Sequence, residues 1–280
     1  MLRSLNYHAT DQSMSPIEVA KEAEQRGFDG LYLPEHTHIP TSRLTPAPNG
    51  EDELPEMYWR TFDPLVMLSA IAASTTRLRL GTSVSLPVQH DPIAMAKQVA
   101  TLDVVSGGRF SLGVGYGWNR EEMATHRVVF ETRREQVREA VLCMRSLWID
   151  DVASFYGSFY RLEPSRSYPK PVQPRGPKVL IGGAAGPKMF SAIAEWADGW
   201  MPIGAGGLAT ALPTLRAAVE AAGRDPATIW IAPMAVIPTA QKLDYYETLG
   251  IDEVGLRLPT AGRDDILRAL DEYAAFVTNG

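Results

Sequence analysis

Cysteine is nearly absent. Cys143 is the sole one in 280 residues, which excludes internal disulfides and any cysteine-built zinc or iron–sulfur cage. Lysine is scarce too, with 6 residues against 21 arginines, and no window carries a basic run that could track a phosphate backbone. With 27 basic against 33 acidic residues and a net charge of −6, nucleic acid is not an expected partner. The arginine excess reads as the mark of a GC-rich genome. No apolar stretch approaches the roughly 20 residues of a membrane span, so no membrane partner is expected. The opening MLRSLNYHATDQSMSP lacks the basic start and apolar run of a secretory signal, and a cytoplasmic location is the expectation.

What is present suits a globular enzyme. Hydrophobic residues make up 45% and charged residues 21%, enough to bury a sizeable core. The length allows either one large barrel or two smaller domains. Ser15-Pro16-Ile17-Glu18 predicts a helix start, with Ile17, Ala20 and Ala23 on its apolar face and a stop at Gly27. A strand through Phe28–Leu33 follows, ended by Pro34. The unit then recurs, with strands predicted near 3–7, 78–85, 109–114, 178–181, 198–202, 228–232 and 253–258, and helices between them and after the last. Eight strands alternating with eight helices predict an α/β fold, a (β/α)8 TIM barrel forming a single domain over 1–280. An open doubly wound sheet is the alternative.

Two segments break the alternation. Residues 37–60 form a long, lid-like loop with Pro40, Pro46, Pro48 and Pro55 and the acidic cluster Glu51, Asp52, Glu53 and Glu56. Coming after a strand, it should lie at the carboxyl face, where barrel enzymes keep their chemistry. The second is an insertion at about 152–177, before the fifth barrel strand, in which Ser154–Tyr160 reads as a short hairpin ahead of the proline-dense 168–174.

Candidate chemistry sits at predicted strand ends. His36 and His38 follow the second strand as H-x-H, a spacing that can ligate metal, but such barrel sites need further histidines after later strands. Of five histidines none lies beyond His126, so no metal site is expected. His36 is the candidate proton donor or acceptor, because imidazole titrates near working pH, and His38 reads as a polar loop residue. Gly113-Val114-Gly115-Tyr116-Gly117-Trp118 looks like a dinucleotide fingerprint but has Trp118 where the third glycine belongs, so it fails as one. Its glycines still allow a flat ligand to approach the backbone, and a tight turn explains them equally well. Ile181–Pro187 with Gly182 and Gly183, then Gly204-Ala205-Gly206-Gly207 one unit later, are glycine-rich strand-to-helix turns whose free amides suit a phosphate.

In this order the segments resemble the luciferase-like monooxygenase superfamily, and within it the coenzyme F420-dependent oxidoreductases. The matching stretches are Gly27–His36, Arg77–Val84, Leu102–Trp118, Pro169–Gln173, Ile181–Gly183 and Ala197–Trp200. The resemblance implies a homodimer and a cofactor ring at the carboxyl face, backed by a non-proline cis peptide that by position joins Ser83 and Val84. It implies that His36 lies near the reacting centre and that Gly182 and Gly183 hold the cofactor's phosphate. Candidate cofactor-binding residues are Glu35, Thr82, Ser83, Val84, Gly115, Tyr116, Trp118, Gly182, Gly183, Gly204 and Ala205. The chain departs from relatives that carry an acidic catalytic residue where it has Trp118 and Asn119, which argues against a sugar-phosphate dehydrogenase. The polar first strand, Leu5-Asn6-Tyr7-His8, leaves the role of His8 open.

The function so implied is hydride transfer between F420 and a small organic substrate. The alternative is an FMN monooxygenase that uses O2 and is fed reduced flavin by a partner reductase. A non-catalytic cofactor carrier is a further one. The arginine excess leans toward F420, a cofactor frequent in GC-rich lineages.

Overall fold

The computed structural model describes residues 1–47, 50, 53–204 and 206–277; Pro48, Glu51 and Asp52 of the long loop and Ala205 of the second glycine turn lie outside them. Among the described residues ten strands and nine α-helices follow one another as β1 Leu2–Asn6, α1 Pro16–Gln25, β2 Gly30–Leu33, α2 Pro64–Ser74, β3 Arg79–Thr82, α3 Pro92–Ser106, β4 Phe110–Val114, α4 Arg120–Thr125, α5 Arg133–Ile149, β5 Ala153–Tyr156, β6 Arg161–Ser165, β7 Lys178–Gly182, α6 Pro187–Glu195, β8 Gly199–Met201, α7 Leu208–Ala221, β9 Trp230–Ile231, α8 Ala240–Thr248, β10 Glu253–Arg257 and α9 Arg263–Ala274.

Eight strands form one parallel sheet in the order β10-β1-β2-β3-β4-β7-β8-β9. Backbone bonds from Gly255 N to Pro233 O (2.9 Å) and from Val236 N to Gly255 O (3.0 Å) bring the segment after β9 onto β10. The ring is thereby nearly closed, as a (β/α)8 TIM barrel. A large apolar core lies between the barrel and its helices. The lumen holds a second, smaller cluster of Tyr32, Leu180, Met201, Ala232 and Met234, with Val84 packed on it. That cluster floors the carboxyl mouth.

Local signals explain most boundaries. Asp91 accepts hydrogen bonds from Ile93 N and Ala94 N at the start of α3, with Pro92 in the first turn and Gly107 left-handed at its end. Asp63 caps α2 in the same way. Ser15 makes no side-chain cap, so Pro16 alone marks the start of α1. The hairpin in the insertion is longer than its predicted 154–160. Those residues supply β5 and the turn, and β6 lies beyond them. The Glu139 carboxylate gathers the turn by accepting from Ser158 N (2.7 Å) and Phe159 N (2.8 Å). The short helix α4 has no counterpart in the predicted alternation, although Asn119 caps it on Glu121 N and Glu122 N. Its six residues carry too little periodicity to register beside the glycines before them.

Candidate active site at the barrel mouth

The chain after β3 leaves the sheet for two residues and returns. Thr82 Oγ1 donates to Gly113 O (2.7 Å), and Ser83 N donates to Leu33 O (2.8 Å). A cis peptide joins Ser83 and Val84. Pairing with β4 resumes as Ser85 N bonds to Gly113 O (2.7 Å) and Gly115 N to Ser85 O (2.8 Å). Val84 is thereby turned onto the lumen cluster. Its two methyls occupy the space of missing side chains: a Cβ on Gly182 would stand 2.6 Å from Val84 Cγ1, and one on Gly115 would collide with Val84 Cγ2. Three strand ends thus meet as one low wall of valine and two glycines, which leaves room above it for a flat group.

Glu35 braces this wall from behind. Its carboxylate accepts from the Ser85 hydroxyl, from Leu86 N (2.7 Å) and from His90 Nε2 (2.5 Å). Burial works against its ionisation, but the bonds from His90, Ser85 and Leu86 outweigh that and leave the carboxyl below its usual range. His90 is raised in turn, its own burial being outweighed by Glu35. The Glu35 carboxylate is therefore engaged with the loop that carries Val84.

One residue after Glu35, His36 turns the other way. Its Nδ1 lies 3.0 Å from Glu122 Oε2 and 3.1 Å from Oε1, with side-chain exposures of 9% and 2%. Glu122 is the third residue of α4, held by the Asn119 cap. A carboxylate at this distance accepts a hydrogen bond from Nδ1–H, which orients the ring and leaves Nε2 as the nitrogen for proton exchange. Aromatic rings enclose the pair. Trp118 stands edge-on to His36 with centroids 6.0 Å apart, and Tyr58 of the long loop lies 5.4 Å from His36, 6.1 Å from Trp118 and 5.3 Å from His8. Burial, then neighbouring His36, pulls His8 down to about 4, so it is neutral at pH 7.

The long loop is fastened over this cluster by the neighbour of Glu122. Glu121 accepts from Leu44 N (2.8 Å), Thr45 N (3.0 Å) and the Thr45 hydroxyl. Partial burial opposes ionisation, but these bonds prevail and hold its carboxyl at about 2. Consecutive glutamates of α4 thus tie down the loop and orient His36.

The sequence profile of the luciferase-like monooxygenase family matches residues 7–244. This chain belongs to that family. An uncharacterized protein of Mycobacterium tuberculosis is 42% identical over 269 residues, covering 95% of each chain. An F420-dependent glucose-6-phosphate dehydrogenase of Kineococcus radiotolerans is 31% identical over 230 residues, 79% of this chain and 63% of the relative. Among solved structures, the monooxygenase RslO1 of Streptomyces bottropensis shares the fold with a TM-score of 0.80 at 20% identity, over 98% of both chains.

For a luciferase-like barrel, the predicted residues divide by what they touch. Ser83, Val84, Gly115, Gly182 and Trp118 gather with His36 around the mouth, whereas Thr82 and Glu35 spend their polar atoms inside the protein. Tyr116 lies under the Arg134 guanidinium at 4.2 Å. Gly183 keeps a φ of +144° and accepts from Trp200 Nε1 (2.9 Å), and Gly204, at φ +69°, donates to Met234 O (2.8 Å). His38 faces Thr37 and the His126 ring rather than His36, and among the described residues no three acidic, histidine or cysteine side chains could hold a metal. Glu122, Tyr58 and Glu121 were not singled out from sequence. Only the Asn119 cap with a glutamate at its third position marked α4 beforehand.

Proposed function

We propose that this protein is an F420-dependent oxidoreductase that moves a hydride between the cofactor and a small organic substrate, with His36 handling the accompanying proton. The observation that carries this reading is the His36–Glu122 pair beside the Val84 wall. The low surface of Gly115, Val84 and Gly182 fits a planar ring, because a side chain on either glycine would occupy the space already filled by Val84. The turn after β7 offers the amides at the start of α6, opened by Pro187, to the cofactor's phosphate. When bound there, F420 supplies two-electron chemistry at carbon 5 of its ring.

The residues of the chain supply the rest. Glu122 holds His36 in one tautomer, so that Nε2 can accept a proton from a substrate hydroxyl or, once protonated, return one to a carbonyl oxygen. Tyr58 and Trp118 close the space around it and exclude water. The long loop, tied to Glu121, keeps Tyr58 in place. The names of relatives such as the Kineococcus dehydrogenase support F420 over FMN.

Titration of the protein with F420 and with FMN, followed by fluorescence quenching, tests the reading. F420 should bind and FMN should bind far more weakly. FMN binding without F420 binding overturns it. His36→Ala should retain F420 affinity while losing turnover, and unchanged turnover removes the role given to His36.

A further inference from the structure

On the side of β10, β1 and β2, the rim of the mouth carries a cation without a counter-ion. Every second residue of a strand shares a face, and on β10 the lumen face falls to Glu253, Gly255 and Arg257. Glu253 accepts from Tyr32 (3.1 Å) inside the ring, and a Cβ on Gly255 would strike the lumen residue Met234, whereas Val254 and Leu256 join the outer core. Arg257 therefore stands on the lumen face at the carboxyl end of the last strand. The register pairs it with Asn6 of β1. The same alternation places His8 above Asn6, with Leu5 and Tyr7 in the outer core.

Three polar side chains on this rim lack partners among the described residues. Arg257 is exposed and enters no ion pair there; the acids next along the chain from His8 and Tyr58, Asp11 and Glu56, are both held by Arg60 (3.0 and 2.9 Å). The half-buried Asn6 amide makes no hydrogen bond there, and His8 Nε2 is buried without one. The charge of Arg257 is felt in the cluster around His36. Burial and then His36 lower His8, and Arg257 adds to that; burial raises the Tyr58 hydroxyl, and Arg257 opposes it.

The chemistry of these groups selects an anion. The planar guanidinium fork matches a carboxylate, and an amide beside it donates to the same group. One cation suits a single negative charge, because His8 is neutral at pH 7 and adds none. Neighbouring strands lie about 4.8 Å apart, so the ends of β10 and β2, with β1 between them, stand roughly 10 Å apart. Arg257 and His36 both reach inward from those ends, and the span holds a chain of a few carbons. We propose that Arg257, with the Asn6 amide, binds a carboxylate of the substrate, which makes the substrate a short hydroxy acid, or the matching oxo acid in the reverse direction, with its reacting carbon at His36. The placing of the reacting carbon rests on the F420 reading.

Linear hydroxy acids of about three to six carbons, each beside its methyl ester, test the pairing. They are titrated into the protein with and without F420, followed by tryptophan fluorescence, and assayed for turnover by the loss of F420 absorbance. The unmodified protein should prefer at least one acid over its ester by about tenfold or more in Kd and in KM, the size of one charge-assisted bond. In Arg257→Gln that preference should fall to near unity through KM rather than kcat. Arg257→Lys, which keeps the charge without the fork, should lie between. Equal binding of acids and esters, binding of neither in either form of the protein, or a preference that survives in Arg257→Gln overturns the proposal. If F420 itself does not bind, the F420 reading fails, and the titration of the unloaded protein still decides for or against Arg257.

Discussion

Replacing Gly182 with alanine isolates the space beneath the proposed ring from every other property of the site. Gly182 is absent from the glycines with positive φ, unlike Gly183, so alanine meets no backbone penalty there. The added methyl would stand 2.6 Å from Val84 Cγ1, where ordinary contact is 3.4–4 Å. Val84 cannot slide sideways, because its other methyl already fills the space above Gly115 and its body packs on the lumen cluster. Overpacking of this kind costs about 1–3 kcal/mol, and for a domain of this size each kcal/mol lowers Tm by roughly 2–4 °C. The relief available to Val84 is upward, into the room left for the cofactor. Gly182→Ala should therefore lower Tm by several degrees and weaken F420 binding together. Val84→Ala alone should be milder, and the double variant should recover both quantities, giving a coupling energy of opposite sign to the single losses. Differential scanning fluorimetry and F420 titration on the four proteins read it out. If Gly182→Ala melts and binds as the unmodified protein does, or if the two substitutions add without coupling, the account of the wall is wrong.

Glu122→Gln keeps the shape of the His36 partner but replaces a charge-assisted bond worth about 1.5–3 kcal/mol. Steady-state turnover should fall by roughly tenfold or more at unchanged F420 affinity, and a fall in affinity instead would mean that Glu122 shapes the pocket rather than the proton. The Glu121 carboxyl sits at about 2, below the 4.5 of an unperturbed glutamate. Its hold on the loop is therefore complete above pH 4.5 and is lost as pH falls from there toward 2. Trypsin cleavage at Arg43 should accelerate in Glu121→Ala at neutral pH and should not accelerate in the unmodified protein at pH 5. His8 titrates at about 4 in the folded protein against 6.5 unfolded. The unfolded chain takes up that proton first, so stability should decline by about 3 kcal/mol as pH drops from 6.5 to 4. His8→Gln should flatten this part of a urea-unfolding profile, and an unchanged slope would place the sensitivity elsewhere.

Much of the barrel was legible because its signals are local. Asp91-Pro92 and Gly107 bound α3 through bonds made within a turn of themselves, and alternating strands and helices leave few ways to bury both faces of a parallel sheet. Boundaries moved where side chains joined the backbone bonding. The Thr82 hydroxyl shares Gly113 O with Ser85 N, and β3 stops at Thr82 rather than at Ser85; the Asp252 carboxylate accepts from Ile231 N, and only two residues, Trp230 and Ile231, remain in β9.

His36 and the glycines could be chosen from sequence because each stands at the end of a predicted strand, the one place where a barrel exposes residues to a common mouth. What His36 meets there could not. Glu122 lies 86 positions away, on a helix too short to announce itself, and Tyr58 arrives on a loop with no periodicity to fix its path. Glu35 and His36, adjacent in the chain, were alike in sequence and part in space, one bracing Val84 from within and the other facing the mouth. The sequence by itself determined the order of strands and the candidates at their ends, since those follow from contacts between near neighbours. Only the closed sheet decided which candidates meet, because partners on β2, β3, β4 and β7 become neighbours through strand pairing, and strand pairing is a long-range property of the whole ring.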